Sequence, residues 1–105
     1  MRLGAVLVAV GLLWPMSAFS HFLTANDLYA HCTVPESAER LYCTGIIVGL
    51  ADAFEHDGTM CPPDGASVSQ VVDVVVQYLR DHPEKRHYAI ANEAALALKQ
   101  AFPCK

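Results

Sequence analysis

This chain is poor in positive charge. Seven Lys and Arg stand against eleven Asp and Glu in 105 residues, with no Lys/Arg cluster of the kind that grips a nucleic acid. A net charge of −4 excludes an electrostatic nucleic-acid binder, which needs several cations to displace counterions from phosphates. There is no C-x-x-C pair, no Ser-His-Asp grouping, no phosphate loop and no nucleotide fingerprint. Long apolar runs are missing too. The stretch Leu3–Leu13 carries no charge, but its 11 residues fall short of the ~20 that span a bilayer. Nothing in the chain reads as a catalytic centre, a metal site or a cofactor site.

That short run has another meaning. Arg2 in front, the apolar stretch, Pro15 to end it, and the small residues Ala18 and Ser20 together form the pattern of a secretory signal peptide. Residues 1–20 are expected to be removed, with cleavage before His21. The mature chain is then one domain, 21–105, of 85 residues with six cations and eleven anions, and no membrane contact. A domain of this size buries only roughly 60–65% of its unfolded surface and needs staples.

Cysteine supplies them. Cys32, Cys43, Cys61 and Cys104 are an even set in an exported chain, which reads as a disulfide framework. Their spacings, with 10, 17 and 42 residues between them, do not match zinc ligation. No odd cysteine remains to act as a nucleophile.

The rest of the chain is patterned for helices. Four Ser/Thr/Asp-x-x-Asp/Glu/Gln signatures precede apolar periodic segments. Thr24 with Asp27 opens a first helix over about 24–32, and Thr33 with Glu36 opens a second, with Pro35 in its first turn. Ser67 with Gln70 opens a third after Pro62-Pro63-Asp64-Gly65. Asp81 with Glu84 opens a fourth, with Pro83 in its first turn. Tyr42, Ile46, Gly49, Leu50 and Ala53 share one face of the second helix. Val68, Val71, Val72, Val75 and Leu79 do so on the third. Ala91, Ala94, Ala95, Leu98, Ala101 and Phe102 do so on the fourth. The expected fold is all-α, a small four-helix up-down bundle stapled by two disulfides. Gly45 and Gly49 form a small-xxx-small pair, and the alanine-rich fourth helix is the expected close neighbour, with a homodimer contact as the rival reading.

Helix order then selects a pairing. Antiparallel successive helices bring Cys32 near Cys43 at one end and Cys61 near Cys104 at the other. The two crossed pairings remain chemically allowed.

Few residues invite a functional reading. His82 and His87 flank the start of the last helix around Glu84, and His31 and His56 are expected to face solvent. Asp52 is either a buried acid with a raised pKa or the partner of a group on a neighbouring helix. The long irregular stretch Glu55–Gly65 is the candidate binding loop, with Glu55, Asp57, Met60 and Asp64 as partner-binding residues. Acids on a loop held by a rigid scaffold would steer a basic partner. The same acids also fit an ordinary solvated connection.

Several fragments together resemble a known family. Cys43-Thr44-Gly45-Ile46-Ile47-Val48-Gly49 with Asp52-Ala53, then Cys61-Pro62-Pro63, then Gln70 with Tyr78-Leu79 and His82-Pro83-Glu84, and finally Ala95 to Ala101 with Phe102-Pro103-Cys104, are similar in order and spacing to the Rap/Tai family of type VI secretion immunity proteins. The resemblance runs over roughly Leu28 to Cys104. It implies a periplasmic, all-helical, dimeric protein that performs no chemistry. Such a protein blocks the cleft of a secreted peptidoglycan amidase, a cysteine enzyme that cleaves cell-wall peptides. Ile46 departs from the aromatic residue the family usually has there, which reads as a core substitution. The contact loops vary within the family, so no contact residue carries over. The alternative function is an acid-stress type of periplasmic chaperone triggered by protonation of carboxylates and histidines, or a helical envelope protein of another role.

Overall fold

A computed structural model describes residues 22–105; the expected signal peptide, 1–20, lies outside the described residues. Four α-helices follow one another: α1 (Ala25–Cys32), α2 (Ser37–His56), α3 (Val68–Asp81) and α4 (Ile90–Ala101). A short 3-10 turn, Pro83–Lys85, stands between α3 and α4. Among the described residues the only extended pairing is an isolated bridge between Thr24 and Ala89. The expected all-α bundle with two disulfides is what the chain forms.

Two of the four start signatures close as capping boxes. The Asp27 backbone N–H donates to Thr24 Oγ1 at 3.1 Å, and the Thr24 N–H donates to Asp27 Oδ2 at 3.1 Å. Ser67 and Gln70 exchange the same pair of bonds at 3.1 and 2.8 Å. Each cap stabilises its helix by about 1 kcal/mol.

The other two do not form, and a proline decides each case. Pro35 pushes the residue before it out of the helical region, so no helix runs on from Thr33. Thr33 instead closes α1, its hydroxyl donating to the Tyr29 carbonyl at 3.2 Å, and α2 begins three residues beyond the expected start, with Glu36 flanking it and no side-chain cap. Asp81 is the last residue of α3 rather than the start of α4, and Pro83 turns the chain into the 3-10 segment. α4 starts only at Ile90, and its first free amide is met from across the molecule: the Ile90 N–H donates to the Leu23 carbonyl at 3.0 Å. A tertiary carbonyl replaces the local side chain, which leaves Ala89 tolerable beside the helix start.

The connection 82–89 is pinned by one arginine. Arg86 Nε donates to the Leu79 carbonyl at 2.7 Å, satisfying an end group of α3. Its guanidinium lies 4.1 Å from the Tyr29 ring centre, which ties the same segment to α1.

The core is Leu28 of α1, Cys43, Ile47 and Ala51 of α2, Val75 and Leu79 of α3, Ile90, Ala94, Ala97 and Leu98 of α4, with Ala25 and Met60. On α2 the buried stripe is therefore one position on from the expected face. The cause is covalent: Cys43 must point at Cys32, whose Cα lies 5.2 Å away, and one residue is about 100° of helix rotation. Tyr42 turns outward as a result, and so do Gly45, Gly49 and Ala53. A Cβ added at Gly45 or Gly49 would meet nothing within 4 Å, so α4 makes no close approach there. On α4 the buried set includes Ile90 and Ala97, while Ala91 and Ala101 are exposed. α3 keeps its expected stripe, with Val75 and Leu79 innermost and Val68 at the open end.

Both disulfides form with the expected pairing. Cys32–Cys43 links the end of α1 to the second turn of α2, and Cys61–Cys104 links the loop after α2 to the tail after α4. The Cys61 N–H also donates to the Phe102 carbonyl at 2.9 Å.

Candidate functional site: an acidic cleft between α2 and α3

The segment between α2 and α3 turns twice. Asp57 ends α2, and its Oδ1 accepts from the Thr59 N–H at 2.9 Å and the Thr59 hydroxyl at 2.6 Å. Those two bonds, the hydroxyl first, hold the Asp57 carboxyl below the ordinary carboxylate range. Gly58 between them takes a φ of 82°, which a side chain would strain. Thr59 and Met60 then donate backwards to the Phe54 carbonyl at 2.8 and 3.4 Å. Further on, Pro63 accepts from the Ala66 N–H at 3.1 Å around Gly65, whose φ is 90°.

The result is a cleft of about 290 Å³ between the last turns of α2, this loop and the first turn of α3. Asp52, Glu55 and Asp64 bring three carboxylates to it, while Pro62, Pro63 and Val71 give it an apolar wall. Of the four loop residues singled out by sequence, Glu55, Met60 and Asp64 line this cleft. Met60 does so as part of its floor, only 1% exposed and packed in the core. Asp57 stands outside the lining and serves the turn. Asp52 is exposed rather than buried, so the reading of it as a desolvated acid is overturned.

Two of the histidines, His31 and His82, have structural roles. His31 is not free in solvent: it is half-buried, pairs with Glu39 and tilts against the Tyr42 ring at 4.5 Å. His82 closes α3, Nδ1 donating to the Tyr78 carbonyl at 2.8 Å, and stacks on the Tyr78 ring at 4.2 Å. His56 lies exposed at the end of α2. Among the described residues no three His, Cys, Asp or Glu side chains gather as metal ligands would.

One buried charge escaped the sequence reading. Glu93 is 1% exposed in the first turn of α4. The Tyr78 hydroxyl donates to its Oε1 at 3.2 Å, and Asn92 Nδ2 lies 3.5 Å from Oε2. Burial, then the neighbouring carboxylate, hold the Tyr78 phenol above its usual pKa. The available signal was positional: Ile90, Glu93, Ala94 and Ala97 follow the i, i+3, i+4, i+7 rule, which puts Glu93 inside the apolar stripe.

The described chain is a small helical body fixed by two disulfides, with an open acidic cleft between α2 and α3. The chain matches the family model for Rap1a immunity proteins over residues 24–104, and it belongs to that family. No curated protein and no solved structure matches it. As a member it is an immunity protein, a class that acts by binding a secreted toxin.

Proposed function

We propose that this protein is exported, loses residues 1–20, and works in the periplasm as a homodimer that binds and inhibits a type VI secreted peptidoglycan amidase. The observation that carries the reading is the family match across 24–104, nearly the whole described domain. Two features support it. Disulfides persist in an oxidising compartment, which is where a cell-wall amidase would act. No helix among the described residues is long and apolar enough to cross a membrane. The dimer is part of the same reading. It would cover Leu41, which is 70% exposed on the outer face of α2.

The test is inhibition. Protein purified from periplasm, with its N-terminus sequenced, is mixed with purified type VI cysteine amidases and peptidoglycan sacculi. Release of crosslinked peptides should stop at one inhibitor chain per enzyme for the cognate amidase. Undiminished cleavage by every amidase of the class at tenfold excess rejects the proposal. Light scattering on the same sample reads the dimer.

A further inference from the structure

The acidic cleft is one end of a longer groove. Between α2 and α3 a second concavity of about 360 Å³ continues along the helix pair towards the start of α2. Arg40 and Arg80 line it together with Val72 and Asp73. Val68, at 53% exposure, lines both concavities and is the apolar bridge between them. One end thus presents Asp52, Glu55 and Asp64, and the other presents two arginines against one aspartate.

These charges have no internal use. No side-chain hydrogen bond or ion pair among the described residues engages Asp52, Glu55, Asp64, Asp73 or Arg40. Arg80 makes only a bond along its own helix, donating to Gln77 Oε1 at 2.9 Å. In a mature chain with six cations, two stand on the same groove. Their separation from the acids follows from α2, which runs from Arg40 at one end to Asp52 at the acidic cleft. Twelve residues of helix are about 18 Å.

We propose that the α2–α3 groove docks a polypeptide segment of the toxin with split charge: a Lys or Arg seated among Asp52, Glu55 and Asp64, an apolar middle on Val68, and an Asp or Glu held by Arg40 and Arg80. An extended segment spans the groove with opposite charges about five or six residues apart, a helical one with about twelve. Arginine suits the far end because its planar fork grips a carboxylate through two donors. The identity of the segment's owner rests on the immunity reading; the groove's preference does not, and it can be tested alone.

A displayed library of random linear 14-residue peptides is selected on the folded, fully oxidised protein. Enriched peptides should carry a cation and a carboxylate at one of those separations around an apolar centre. Glu55→Lys with Asp64→Lys should weaken their binding about tenfold, and Arg40→Glu with Arg80→Glu about tenfold again. Reversing the matching charge on the peptide should restore it. All four side chains are exposed, and an unchanged circular-dichroism melt confirms that each variant folds. Failure to enrich any peptide, enrichment without split charge, or binding indifferent to both reversals overturns the proposal. An amidase inhibited equally by wild type and both variants also overturns it while leaving the immunity reading intact. A split-charge preference with no amidase inhibited sinks the amidase reading alone.

Discussion

The two disulfides close the molecule in opposite surroundings. Cys32–Cys43 sits where packing is already dense: Cys43 is 3% exposed, His31 pairs with Glu39 alongside, and α1 is held again by Arg86. Cys61–Cys104 sits on the surface, with both residues exposed, and it holds a loop that touches the core mainly through Met60. The first bond adds to a contact that side chains make anyway. The second takes the place of packing, and the candidate cleft stands on it.

Removing each bond in turn sharpens that contrast. Cys61→Ala with Cys104→Ala should cost about 4 kcal/mol in urea unfolding, because the long loop regains the most chain entropy. Cys32→Ala with Cys43→Ala should cost about 3 kcal/mol. The reverse order would mean that burial outweighs loop length. Under limited dithiothreitol, Cys61–Cys104 should open first, and alkylation mapped by mass spectrometry would break the comparison if Cys32–Cys43 opened sooner.

Met60→Ala should follow, at about 2–3 kcal/mol, since the residue is the loop's one deep anchor. If the loop were held by its disulfide alone, the loss would be near zero.

The smallest effect belongs to Asp57. Its folded pKa lies below the unfolded value of 3.8, so its contribution is complete above that pH and fades as pH falls through the folded value. Asp57→Asn should therefore lower the melting temperature slightly at pH 7, and the gap to wild type should close towards pH 2. A gap that persists in acid would assign the effect to turn geometry instead.

Much of this architecture is legible in the sequence because its signals are local. The Thr24 and Ser67 caps, the α3 stripe and the helix order that pairs the cysteines depend on residues a few positions apart. The misses share a different cause. The face of α2 is set by a covalent partner on another helix, and α4 begins where a distant carbonyl meets its first amide, neither of which periodicity records. Asp81 and Glu84 form a sound signature that Pro83 and the end of α3 pre-empt. The loop after α2 is legible from composition, but its division into anchor, turn-former and exposed acids is not, since outside a helix no periodicity says that Met60 turns into the core or that Asp57 turns onto Thr59. The basic half of the groove stayed hidden because Arg40 and Arg80 are far apart in sequence.

The bond from Ile90 to Leu23 has a consequence for biogenesis. It joins the stretch before the first helix to the start of the last, so this end of the bundle closes only when α4 has been made. A chain that still lacks α4 holds no finished core. The fold completes only when the whole chain is available and Cys104 can reach Cys61.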